Sequence, residues 1–189
     1  SMISQFYSER NSIFNFKNII IGLIILSIGI IKKVFIADNL SVFSDQVFAL
    51  RENLSLFEVW MGTFCFTFQI YFDFSGYIDM ATGIALMFNI VLPLNFNSPY
   101  KATGIIDFWQ RWHITLTSFL TNYIYTPMLR SFKNLNFLKS MIATFIVFLI
   151  AGLWHGPSWL FVIFGALHGF GLIVNHIYRR YMNFRINNH

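Results

Sequence analysis

Apolar and polar positions alternate along this chain in blocks too long for a soluble fold. The first apolar run, Ile19–Ile31, is followed by Lys32-Lys33 and then Val34–Ala37. A bilayer-spanning helix needs about 20 residues, so 19–37 is predicted to be a span whose two lysines snorkel toward headgroups. Asp38-Asn39 is expected to end it. The mixed stretch Ser41–Glu58, with Asp45, Arg51, Glu52 and Glu58, reads as an extramembrane connection or interfacial helix. From Val59 the chain is apolar again, until Asp73, Ser75, Gly76 and Asp79 interrupt what would be one long span through Leu94. The pattern therefore predicts two spans, 59–72 and 80–94, around a broken helix of the kind that protein or a water-filled cavity must cover. Pro93–Tyr100 is a loop by its Pro and Asn content.

Residues 108–124 are predicted to form one amphipathic helix. Trp109, Trp112, Leu116, Phe119, Leu120 and Tyr123 follow the 3.6-residue period, opposite a polar stripe of Arg111, Thr115, Ser118 and Asn122. His113 falls on the apolar side. Two further spans, 137–154 and 159–176, flank the break Trp154-His155-Gly156-Pro157-Ser158. Their outer ends are basic, Arg130 through Lys139 and Arg179 through Arg185, so the positive-inside rule predicts a hairpin with cytoplasmic ends. A continuous kinked helix through His155 is the alternative. The fold class expected is all-α: a multi-pass transmembrane bundle with broken or re-entrant helices, residues 1–189 forming one integral-membrane region of a larger domain.

Composition sharpens this picture. Of 189 residues, 56% are hydrophobic and 11% charged, against about 25% charged in ordinary soluble domains. The net charge of +5 sits at segment edges rather than along a stripe, which excludes nucleic acid and favours contact with membrane lipid. The single cysteine, Cys65, lies among Phe64, Phe66 and Phe68 and reads as a packed residue. No signal peptide is recognisable, and the opening Ser1-Met2 is expected to belong to a piece of a longer protein.

Two strings carry the candidate chemistry: Phe108-Trp109-Gln110-Arg111-Trp112-His113 and Trp154-His155-Gly156. Ionisable groups at membrane depth are functional candidates by default. His155, set before Gly-Pro, can stand clear of its helix, and a neutral imidazole there is a competent general base toward an alcohol. A histidine hydrogen-bonded to a neighbouring helix is the competing reading. His113 could polarise an acyl carbonyl, or hold His155 and the substrate in place. Arg111 could bind a phosphate or anchor at the interface; Trp112 and Trp154 flank the two histidines as candidate substrate contacts. Asp73, Ser75 and Asp79 are candidate substrate contacts too, with capping and interhelical hydrogen bonding as the alternative. Asp73 and Asp79 are six apart and share no helix face, so they make a poor acid–base pair. His168, between Gly165 and Gly169, is expected to serve helix packing, and His176 and His189 to be solvated. No metal site is expected, since the histidines are scattered and no His-Glu-x-x-His or cysteine pair accompanies them. Neither a Gly-rich phosphate loop nor a Gly-x-Ser-x-Gly element occurs.

At these residues the chain resembles the membrane-bound O-acyltransferase (MBOAT) family, and within it the bacterial alginate and polysaccharide O-acetyltransferase branch. The motifs are Ile31–Asp38, Tyr71-Phe-Asp-Phe-Ser-Gly-Tyr-Ile-Asp-Met-Ala81, Leu94-Asn-Phe-Asn-Ser-Pro-Tyr100, Phe108-Trp-Gln-Arg-Trp-His-Ile-Thr-Leu116 and Gly152-Leu-Trp-His-Gly156. The resemblance implies transfer of an acetyl or other acyl group to a hydroxyl of an extracytoplasmic polysaccharide or partner protein. It implies His155 as catalytic base and His113 as the second active-site residue. The donor it implies is acetyl-CoA or another cytoplasmic acyl thioester, used as substrate with no bound cofactor, and the location is the bacterial cytoplasmic (inner) membrane. The branch usually reads Arg-Asp-Tyr-Leu-Tyr-Ile-Pro-Leu-Gly-Gly where this chain has Thr121–Arg130. About four to six spans fall short of a full family tunnel, so this stretch alone is expected not to turn over substrate. The rival class is a non-catalytic scaffold or conduit in an envelope-polysaccharide modification complex.

Overall fold

The computed structural model describes residues 2–7, 13–50 and 54–187, and all of its regular structure there is helical. Arg51, Glu52 and His189 lie outside the described residues. The chain divides into two compact units, Ser1–Pro93 and Leu94–His189. Among the described residues three helices are long and apolar enough to cross a membrane: Phe16–Leu50, Phe137–His155 and Trp159–Ile186.

In the first unit a short helix α1 (Met2–Phe6) precedes α2 (Phe16–Ile30), which is capped by Asn15. A π-helical stretch, Ile31–Ala37, carries α2 without a break into α3 (Asp38–Leu50). Asp38-Asn39 therefore does not end the span. Asp38 instead lies inside the continuous helix, where its carboxylate accepts from Lys33 one turn earlier at 2.8 Å. The predicted connection from Ser41 is, as far as Leu50, the continuation of the same helix.

The next helix, α4, runs unbroken from Leu56 to Met87. Ser55 and Glu58 start it with a reciprocal capping box, the Glu58 carboxylate accepting from the Ser55 N–H at 2.7 Å. The predicted interruption at Asp73–Asp79 is absent, and the packing gives the reason. Lys32 donates to Asp79 at 2.5 Å, while Lys33 pairs with Asp73 at 2.7 Å and Asp38 at 2.8 Å. Carboxylates neutralised from the facing helix need no helix break to reach a partner. For the same reason Lys32 and Lys33 are ion-paired within the unit, where snorkelling was expected. Gly76 marks a close approach: a Cβ there would lie 2.9 Å from the Gly29 carbonyl oxygen. Gly22 and Gly83 repeat the contact one heptad away, so α2 and α4 run antiparallel with touching backbones, as small residues permit in membranes. Ser44, fully buried, donates to Gln69 at 2.6 Å and adds a polar tie between α3 and α4.

In the second unit the predicted helix over 108–124 is three pieces. α5 (Ile105–Arg111) stops at Trp112, and α6 (Ile114–Leu120) begins after His113, which adopts the left-handed conformation at φ 44°. α6 continues through a π-helical turn, Thr121–Tyr125, into α7 (Thr126–Ser131). α8 (Phe137–His155), capped by Asn136, and α9 (Trp159–Asn187) form a hairpin, and the continuous kinked alternative is excluded. Gly156 makes the turn at φ 157°, a region essentially reserved for glycine. Facing glycines, Gly152 and Gly165, let the two helices close on one another.

Candidate active site

Both histidines singled out from sequence sit at helix ends in the second unit. His155 is the last residue of α8, and His113 is the N-cap residue of α6. Trp154 links them: its ring centroid lies 6.2 Å from that of His113 and 5.1 Å from that of His155. On its other side His155 stacks on Phe161 at 5.9 Å and meets the edge of Phe164 at 5.8 Å. Its ring nitrogens make no hydrogen bond among the described residues, so the packed alternative is aromatic rather than hydrogen-bonded. Trp154 is 61% exposed and His155 is exposed within this chain.

The loop Leu94–Asn97 builds the break that presents His113. The Ile114 N–H donates to the Asn95 carbonyl at 2.9 Å, and the Asn97 N–H to the Arg111 carbonyl at 2.9 Å. Asn95, only 6% exposed, turns its side-chain oxygen onto three groups: His113 Nδ1 at 3.1 Å, the Thr115 N–H at 3.2 Å and the Thr115 hydroxyl at 2.9 Å. Asn95 lies in the quoted motif Leu94–Tyr100 but was given no role at the site from sequence. The available signal was an amide flanked by Leu94 and Phe96 just ahead of the histidine string, and its partner lies 18 residues on. Burial, and then the neighbouring His155, hold the pKa of His113 below the ordinary 6.5.

The remaining candidates fall in different surroundings. Arg111 donates through Nε to Asp107 at 2.7 Å and through Nη1 to the Asn97 carbonyl at 3.3 Å. The guanidinium holds the Asp107 carboxyl below the usual carboxylate range. Arg111 thus ties α5 to the Asn97 loop. Trp112 stacks on Phe108 at 5.6 Å and meets the edge of Phe96 at 5.1 Å, within an aromatic cluster. His168 packs edge-on against Trp109 at 5.0 Å and Phe164 at 4.4 Å, and also lines a groove of about 390 Å³ with Tyr100, Thr103 and Phe108. His176 is half-buried, where a solvated position was expected. Asp73 and Asp79 belong to the first unit and are occupied by Lys33 and Lys32; Ser75 there is 2% exposed, and its hydroxyl has no hydrogen-bond partner among the described residues. No three His, Cys, Asp or Glu side chains among the described residues come together as metal ligands would.

This pairing of a Trp-His at a broken helix with a Trp-His-Gly hairpin turn can be set against known proteins. The sequence model of the membrane-bound O-acyltransferase family matches residues 1–188. The chain belongs to the membrane-bound O-acyltransferase family. It is 51% identical over 178 residues to a peptidoglycan O-acetyltransferase of Helicobacter pylori, covering 94% of this chain and 33% of that protein. A probable alginate O-acetylase AlgI of Pseudomonas aeruginosa is 40% identical over 153 residues, covering 77% of this chain and 28% of the relative. A teichoic acid D-alanyltransferase of Bacillus subtilis is 31% identical over 108 residues, covering 54% and 27%. The chain thus spans about a third of the length of these relatives. As a family member with three apolar helices of spanning length, it is a membrane protein.

Proposed function

We propose that the full-length protein containing this chain is an O-acetyltransferase of the bacterial cytoplasmic membrane. It would move an acetyl group from a cytoplasmic thioester, acetyl-CoA above all, to a hydroxyl of an extracytoplasmic polysaccharide such as peptidoglycan, or of a partner protein that relays it. The observation that carries this reading is the placement of His113 and His155 at two helix ends on either side of Trp154. Identity to O-acetyltransferases over most of the chain supports the acetyl assignment.

In this mechanism His155 takes the proton of the acceptor hydroxyl as its oxygen attacks the thioester carbonyl carbon. The carbon–sulfur bond breaks, the new oxygen ester is released, and the leaving thiolate recovers the proton from the imidazolium. His113 orients His155 and the acceptor, and confinement of both substrates supplies much of the rate. Residues 1–189 contribute the base and its surroundings and do not turn over alone, because the two substrate paths need the rest of the protein.

The test is ester-linked acetate released from cell envelopes by mild alkali, comparing full-length wild type with His155→Ala at matched membrane abundance. Loss of released acetate is expected. Unchanged acetate with normal abundance removes His155 as base. Loss of alkali-released D-alanine in place of acetate reassigns the acyl group.

A further inference from the structure

We infer that Asn95 is the positioning residue of the site, fixing His113 in the tautomer with hydrogen on Nδ1 and the lone pair on Nε2. The inference rests on the acyltransferase reading for its functional consequence, but not for its geometry. The Thr115 backbone N–H can only donate, so the atom it meets on Asn95 is the amide oxygen. That oxygen has no hydrogen to give, and His113 Nδ1 at 3.1 Å must therefore be the donor. The same oxygen accepts from the Thr115 hydroxyl at 2.9 Å, and the Asn95 backbone carbonyl accepts from the Ile114 N–H at 2.9 Å. Bonds on both sides of His113 hold it in a left-handed conformation that is unfavourable for a non-glycine residue elsewhere. Asn95 is buried, so water does not compete for these donors.

The tautomer decides between the two jobs open to His113. A neutral ring with its hydrogen committed at Nδ1 offers Nε2 as an acceptor and cannot use it to donate to an acyl carbonyl. His113 then serves by accepting a hydrogen bond, from the His155 ring or from the acceptor hydroxyl. The titratable group that acts on it is His155 at the end of α8; on its own segment Asp107 and Arg111 are paired with each other.

The first test needs no measurement of activity. Full-length protein labelled with nitrogen-15 in its histidines, with His113 assigned by its disappearance in His113→Gln, should show the shifts of an Nδ1–H, Nε2-lone-pair ring at pH 8. An Nε2–H ring, or rapid averaging between tautomers, overturns the inference whatever the acetate assay gives. The second test compares acetyl transfer by Asn95→Leu and Asn95→Asp. At metal-bound histidines, losing the group that orients the ring typically costs 10–100-fold, and the same ring-orienting hydrogen bond is at stake here. Asn95→Leu should therefore lose at least about tenfold in kcat with KM little changed. Asn95→Asp keeps an acceptor for Nδ1–H and adds a negative charge, so it should recover most of that loss. Its activity should also fall away at a higher pH on the acid side. Equal, full activity of both variants with an unshifted pH profile would overturn the proposal. Loss of activity in His155→Ala alone, beside the expected spectrum, keeps this inference and the acyltransferase reading together. Intact activity in His155→Ala beside that spectrum separates them.

Discussion

His113 is a residue whose chemistry and backbone conformation have to be tested apart. Asn is among the few side chains that tolerate the left-handed region, so His113→Asn removes the imidazole without adding strain at φ 44°. The expected outcome is normal accumulation of the full-length protein with acyl transfer reduced about 100-fold, the scale of losing a group that positions the reacting atoms. The same residue sets a pH dependence. Its pKa in the fold is below 6.5 because burial, then His155, disfavour the charged form. Below pH 6.5 the unfolded chain takes up this proton before the folded one does. The stability contributed by a neutral His113 is therefore complete above about pH 6.5 and is lost as pH falls through its folded value. Melting temperature should drop between pH 7 and pH 5 in wild type, and less steeply in His113→Asn. His113 stood out as a candidate in sequence because ionisable residues are rare among so many apolar ones. Its partner Asn95 was not, since an asparagine in a Pro-containing loop has the same look whether it caps a turn or orients a histidine.

At the scale of elements, polar residues in apolar helices were read as breaks and proved to be seams. Asp73, Gly76 and Asp79 look like an interruption along one strand of text, yet α4 is continuous because α2 supplies Lys32, Lys33 and Gly29 opposite them. Removing one partner of such a pair strands the other charge, at a cost below the roughly 3–5 kcal/mol of a fully buried pair, since both side chains here are a quarter or more exposed. Asp79→Lys and Lys32→Asp should each lower membrane abundance and melting temperature of the full-length protein, and the double reversal should restore much of both. Failure of the double variant to recover would mean that the hydrogen-bond geometry, rather than the charge pairing, holds α2 against α4. The opposite error occurred at 108–124, where a regular apolar period concealed the break at His113. Periodicity reports which faces are apolar; it is silent about a turn imposed by hydrogen bonds from the Asn95–Asn97 loop.

For the molecule as a whole, charge is divided unevenly along the chain. From residue 94 onward there are eight Lys or Arg and one acidic residue, Asp107, a net +7; residues 1–93 carry five against seven, a net −2. In the second unit much of that charge flanks the α8–α9 hairpin, with Arg180 over the Phe137 ring at 4.6 Å and Lys139 over Phe132 at 5.6 Å. α8 has 19 residues, about 28 Å of helix, which matches a hydrocarbon core of about 30 Å. The positive-inside rule then puts Lys133 on the cytoplasmic side and Ser158 on the other. In the full-length protein freed of its cysteines, Cys65 included, Ser158→Cys should react with an impermeant maleimide in intact spheroplasts, and Lys133→Cys only after permeabilisation. The reverse pattern would place the basic ends outside.

The sequence alone determined the class of the protein, because solvent preference is a sum over side chains and needs no contacts. Chain-wide apolarity, spans of membrane length and basic flanks announce a membrane protein however the helices pack, and the hairpin break at Gly156-Pro157 is local backbone chemistry. Motif order was sufficient to name the family. Tertiary structure alone decided the fate of the polar residues inside those spans. Whether a carboxylate within an apolar segment breaks a helix or joins two, and which nitrogen of a histidine carries its proton, depends on the partner it meets. Those partners, Lys32 for Asp79 at a separation of 47 residues and Asn95 for His113 at 18, are brought together only by folding.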